Sequence, residues 1–145
     1  MSRAIVDLPE QFSFSTDITI RITDINYGGH LGNADVLALM HEARVLFLQS
    51  FGYSETSIEG FGCIMLDSVV LYKAQAFAGD VLRIEVAAGD FNRIGFDLYY
   101  RITNAKTGAS VVSAKTGMAI YDYVHQKRIS PPAAFVDKLQ GAASV

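Results

Sequence analysis

One cysteine, Cys63, in 145 residues permits no internal disulfide and no multi-cysteine metal site. Proline is scarce and no run is rich in proline, glycine or serine, so no linker divides the chain, and a single domain over residues 1–145 is expected. Charge of neither sign dominates. The net charge of −3 and pI near 5.5 offer no bulk attraction to nucleic acid or an anionic membrane. Uncharged stretches fall far short of the roughly twenty residues a spanning helix needs. The start of the chain meets Asp7 too early for a secretory signal. A cytoplasmic protein without membrane insertion is therefore expected. His30, His41 and His125 have no metal-ligand spacing, so no metal is expected.

Apolar residues, by contrast, are plentiful. Half the residues are hydrophobic and the mean hydropathy is +0.24, which excludes disorder and hints at a covered subunit face. Phe14, Ile18, Ile20 and Ile22 share one parity against Asp17, Thr19, Arg21 and Thr23, which predicts a strand over Phe12 to Asp24. Asn26-Tyr27-Gly28-Gly29 ends it. Asn33 is the expected N-cap of a helix from Ala34 to Phe51, stopped by Gly52. Asp35, Glu42 and Gln49 form one narrow polar stripe on it; the wide apolar remainder predicts burial on nearly all sides. Strands are predicted at Cys63–Ala76, Val81–Asp90, Gly95–Thr103 and Ala109–Tyr123, joined by short glycine- or asparagine-bearing turns. Pro131 to Leu139 reads as a short terminal helix. Long antiparallel strands and one buried helix predict a sheet curled around that helix.

The junction between the first strand and the helix carries the chemistry. On an extended backbone Asp24 and Asn26 point to one face. Gly28-Gly29 frees the backbone, His30 follows, and the helix begins. Amides from Gly29 to Gly32 would then lie unpaired at the positive helix end, where they can polarise a carbonyl and hold an oxyanion. Asp24 is a candidate base or nucleophile, Asn26 can orient water, and His30 can relay a proton. Read blandly, the same residues are turn chemistry and a structural histidine.

The stretch Thr23-Asp24-Ile25-Asn26-Tyr27-Gly28-Gly29-His30-Leu31-Gly32-Asn33-Ala34, continuing to His41-Glu42-Ala43-Arg44, resembles the hotdog-fold acyl-CoA thioesterases of the 4-hydroxybenzoyl-CoA thioesterase superfamily. Their pattern is approximately Asp-x-Asp-x-x-Gly-His-x-Asn-Asn, followed by a helix bearing Glu-x-x-Arg or Glu-Ala-Arg. The resemblance covers most of residues 12–137. It implies an α+β hotdog fold, with a curved antiparallel sheet of about five strands around one long buried helix. It also implies acyl-CoA hydrolysis at a site across the interface of a homodimer or homotetramer, with coenzyme A present only as part of the substrate.

Carried over by position, Asp24, Asn26, His30 and Glu42 are the catalytic candidates, and Gly29, Asn33 and Arg93 the substrate-binding ones. Arg93 falls where relatives carry basic residues that meet nucleotide phosphates. Two positions depart from the pattern: Asn26 stands where many members have the catalytic aspartate, and Gly32 replaces the first asparagine. An amide cannot act as base or nucleophile, so the acid is left to Asp24, Glu42 or another residue, or hydrolysis is absent. Asp67 is a further acid, Lys73, Lys106 and Lys115 further basic candidates. Arg44 is expected to balance a carboxylate. The alternatives are an enoyl-CoA hydratase, whose Asp-x-Asn-x-x-His spacing is one residue shorter than that here, and a non-catalytic acyl-thioester binder.

Overall fold

The computed structural model describes residues 2–143; residue 1 and residues 144–145, the ends of the expected 1–145 domain, lie outside them. The described chain runs β1 (Phe14–Thr19), α1 (Asn33–Gln49), β2 (Gly62–Tyr72), β3 (Val81–Gly89), β4 (Phe96–Asn104), β5 (Ser110–Asp122), β6 (Lys127–Ile129) and α2 (Ala133–Ala143). All strands join one antiparallel sheet in the order β1-β3-β4-β5-β2, with β6 added to the end of β5. This is the hotdog architecture, a curved sheet holding a helix.

Period-two patterning decides which sheet face holds the core. Leu82, Ile84 and Val86 on β3, with Phe96, Leu98, Tyr100 and Ile102 on β4, turn inward and are buried; Arg83, Asp97 and Arg101 alternate outward. Val36, Met40, Ala43 and Phe47 of α1 complete that core, and Phe47 meets Phe14 and Phe51 edge-on. Phe47 and Phe51 are thereby committed to packing.

Several element ends differ from the sequence reading. The first strand stops at Thr19, and Ile22–Asp24 forms a 3-10 turn, because the Arg21 and Asp24 side chains each bond back across it. Asp24 and Asn26 therefore do not share a face by strand alternation. Gly32, not Asn33, caps α1: the Gly32 carbonyl accepts the Val36 N–H. β2 ends at Tyr72 rather than Ala76, as Lys73 donates to Val111 and the chain turns away. The short β6 is an addition to the expected strands. Its turn is held by Asp122, whose Oδ1 accepts the Val124 and His125 amides at 3.0 and 3.1 Å. One further difference matters more. Leu37 on α1 is 41% exposed, so the helix has an open stripe rather than burial on nearly all sides.

Gly95 packs its α-carbon against the β5 backbone, and a Cβ there would run into the Met118 carbonyl. Gly95→Ala is expected to lower stability by about 1–3 kcal/mol, since a strand backbone cannot step aside. Gly141→Ala, in the open on α2, is expected to raise it by about 0.5–1 kcal/mol. Urea unfolding midpoints of the two variants check both signs.

Candidate functional site

The segment from Arg21 to Gly32 is a knot of local hydrogen bonds. Asp24, 4% exposed, accepts from its neighbour three times: from the Arg21 N–H at 2.8 Å, Nε at 3.3 Å and Nη2 at 3.1 Å. The Arg21 guanidinium holds the Asp24 carboxyl below the usual aspartate range, against the opposing effect of burial. Both oxygens are engaged in closing the turn. Asn26 is also locally engaged: its Oδ1 accepts the Gly28 N–H at 2.9 Å, its N–H donates to the His30 carbonyl, and its carbonyl accepts the Gly29 N–H. Gly29 has φ +87°, the left-handed conformation this reversal requires. Leu31 N–H then donates to the Ala76 carbonyl at 2.8 Å and Gly32 N–H to the Asp24 carbonyl at 3.1 Å.

Of the amides expected to await an oxyanion, those of Gly29, Leu31 and Gly32 are thus already donating. The donors that α1 itself leaves without a partner are those of its first turn, at Asn33, Ala34 and Asp35. Asp35 lies in that turn and offsets part of the positive helix end.

Beside this turn opens a cavity of about 240 Å³, bounded by His30, Asn33 and Val36 on one side and Tyr72, Lys73 and Val112 on the other. The Tyr72 hydroxyl donates to the Asn33 carbonyl at 3.0 Å and ties the end of β2 to the start of α1. The His30 ring is half-buried, with Nδ1 3.3 Å from the Leu31 carbonyl. The wall is mostly apolar, with an imidazole, an amide, a phenol and an ammonium placed around it, which suits an acyl group with a polar end.

Among the sequence candidates, His30 and Asn33 meet at this cavity; Asp24, Asn26 and Gly29 build the loop beside it. Glu42 does not reach it. That carboxylate lies in a separate groove with Asp17, Thr19 and Arg21, where its charge helps raise the Arg21 pKa. Arg93 is not at the cavity; it lines a depression with Ile94, Arg128, Ile129 and Ser130. Asp67 accepts the Gly117 N–H at 3.0 Å across β2 and β5. Lys115 lies 3.9 Å from Asp97, and Lys73 is at the cavity wall.

Sequence reasoning missed one constellation. Arg44, 5% exposed, donates through Nε to Glu55 Oε2 at 3.2 Å and through Nη1 to the Tyr100 hydroxyl at 3.2 Å. Tyr100 in turn bonds Thr116 at 2.8 Å. Burial opposes the Arg44 charge, but Tyr100 and Glu55 outweigh it and its pKa lies above the ordinary arginine value. The other Glu55 oxygen is 2.6 Å from His41 Nε2. Arg44 does balance a carboxylate, as expected. Its partner Glu55 lies off the helix, so no helical spacing reveals it.

The chain belongs to the thioesterase-like superfamily, whose family model matches residues 20–139. Solved structures share the fold at low identity. The 1,4-dihydroxy-2-naphthoyl-CoA thioesterase Slr0204 from Synechocystis is 19% identical with a TM-score of 0.79, over 88% of this chain and 95% of that one. SAV2348 from Staphylococcus aureus, solved in complex with CoA, is 16% identical with a TM-score of 0.80, over 99% and 89%. A thioesterase from Thermus thermophilus, complexed with coenzyme A and Zn, is 17% identical with a TM-score of 0.78, over 94% and 98%. No curated protein sequence matches the chain. No helix among the described residues is long and apolar enough to cross a membrane.

The Asp24 pKa is depressed on folding, so its pairing with Arg21 stabilises the fold above the ordinary aspartate range and is lost as pH falls through the folded value. The stability difference between wild type and Asp24→Asn is expected to be constant from neutrality to about pH 5 and to shrink as pH falls below the ordinary aspartate range. Urea unfolding across that window checks it; a difference that widens in acid contradicts the pairing.

Proposed function

We infer that this protein hydrolyses an acyl-CoA thioester to the free acid and CoA, at a site completed by a second copy of the chain. The observation that carries this reading is the cavity at the amino end of α1, where a mostly apolar wall meets His30, Asn33, Tyr72 and Lys73. Membership of the thioesterase-like superfamily supports it, as do the CoA complexes of two fold relatives.

The acyl group enters the apolar part of the cavity and the thioester carbonyl faces the first turn of α1, whose free amides draw electron density from it. His30 and Asn33 border the reacting end. Asn26 and Gly29 shape the loop that presents them, and Asp24 is a positioning residue held by Arg21. Glu42 acts through its charge beside Arg21 rather than at the carbonyl.

The free edge of β2 supports dimerisation. Among the described residues, no backbone bond reaches the outer edge of β2 from Ile64 to Leu71, and Met65 and Leu66 are exposed there. An open apolar edge pairs readily with its own copy. Antiparallel pairing turns the Arg93–Arg128 end of the partner toward this protomer's cavity, where the two guanidiniums meet the nucleotide phosphates of CoA. A cytoplasmic setting accords with the lone Cys63, whose thiol is pushed up to about 12 by burial and so stays unreactive.

Purified protein is expected to release free thiol from at least one of acetyl-, octanoyl- and benzoyl-CoA, monitored with a thiol reagent. Crotonyl-CoA losing its conjugated double bond without thiol release would indicate hydration instead. Binding without either reaction would indicate a non-catalytic carrier. Ala74 is exposed and lines the cavity, so Ala74→Trp is expected to abolish acyl-CoA binding in calorimetry while leaving the thermal midpoint near wild type.

A further inference from the structure

Asn26 stands in place of a carboxylate, Asp24 is fully engaged by Arg21, and Glu42 faces another groove. The proposed hydrolysis therefore lacks a carboxylate-backed proton acceptor, since among the described residues the His30 imidazole at the cavity meets only the Leu31 carbonyl. The open stripe of α1 contains one. Asn33, Leu37 and His41 are four residues apart and so lie on one face. Tyr72, the last residue of β2, is bonded to Asn33. Glu55, bonded to His41, accepts the N–H of Cys63 at the beginning of β2. The helix therefore runs antiparallel to β2.

This register has a consequence for two copies joined edge to edge. A two-fold axis across paired β2 edges sets the two α1 helices antiparallel to each other, so the His41 end of one helix is turned toward the Asn33 end of the helix in the other copy. The stripe is suited to a second copy: Leu37, Met65 and Leu66 are exposed apolar side chains beside an unpaired edge.

We propose that the His41–Glu55 pair of one protomer is the general base for the thioester held in the cavity of the other. This rests on the hydrolase reading above. His41 Nε2 donates to Glu55, which fixes the tautomer and leaves Nδ1 as acceptor, with no hydrogen bond among the described residues. Arg44 holds the second Glu55 oxygen, so the carboxylate cannot swing away. In the reaction Nδ1 takes a proton from water as its oxygen bonds to the carbonyl carbon. The resulting oxyanion faces the α1 amides of the partner subunit. Its collapse breaks the C–S bond, and Nδ1 returns the proton to the departing sulfur. The products are the acid and the CoA thiol. Arg44 is a positioning residue that acts through Glu55.

The test uses whichever of acetyl-, octanoyl- and benzoyl-CoA the wild type hydrolyses fastest. His41→Ala and His41→Gln, both at an exposed helix position, are expected to lower kcat about a hundredfold with KM little changed, and added imidazole to restore rate to His41→Ala. His41→Ala is also co-expressed with Ala74→Trp under a different tag, and the doubly tagged heterodimer is isolated. It contains one intact site and is expected to show about half the wild-type activity, where each parent homodimer is nearly inactive. Wild-type rates in both His41 variants, loss without imidazole rescue, or an inactive heterodimer each overturn the proposal. A wild type that releases no thiol from any of the three substrates overturns the hydrolase reading and this proposal with it, a failure distinguishable because it is read before any variant is made.

Discussion

Two backbone hydrogen bonds hold the amino end of α1 in place, and the site depends on them. Leu31 donates to Ala76 and Gly32 to Asp24, so the loop ahead of the helix is fastened both to the segment after β2 and to its own turn. Neither bond involves a side chain. Together they set where α1 begins, and with Tyr72 bound to Asn33 they fix the gap between helix and sheet that becomes the cavity. The local glycines follow from the same constraint. Gly29 supplies the left-handed reversal, and Gly32 leaves room for the Asp35 carboxylate that leans back over it.

From that fixed end α1 runs through the sheet as both core and polar scaffold. Its inward face fills the curl with Val36, Met40, Ala43 and Phe47. Arg44 interrupts this face with a buried guanidinium. Burying an unpaired charge costs several kcal/mol, which is why Glu55, Tyr100 and Thr116 are arrayed to satisfy it. The consequence is a rigid polar chain from the core to His41 at the surface. A hydrophobic residue at position 44 would leave Glu55 Oε2 without its guanidinium partner.

The outward stripe of the helix and the free edge of β2 belong together. A sheet edge with exposed Met65 and Leu66, and a helix with exposed Leu37, leave apolar surface and backbone polar groups open at once. One copy cannot close both. In the proposed dimer the antiparallel relation of α1 to β2 makes that surface self-complementary, and symmetry brings together the chemistry at the two ends of the stripe.

The amino-acid pattern by itself determined the order of elements, the inward parity of β3 and β4, the turn at Asn26 to Gly29, and the helix that follows. These are local properties of periodicity and backbone preference, carried by Leu82, Ile84, Val86 and their neighbours. The resemblance of the Asp24 to Asn33 segment also pointed to the thioesterase superfamily. Only the tertiary structure decided that Asp24 closes a turn, that Glu42 faces Arg21, and that the amides of Gly29, Leu31 and Gly32 are taken. It also joined Arg44 and His41 to Glu55. The bonds of Leu31 to Ala76 and of Glu55 to Arg44 and His41 depend on which groups the fold brings within about 3 Å of one another, and hydrogen bonds between distant segments leave no period or spacing along the chain.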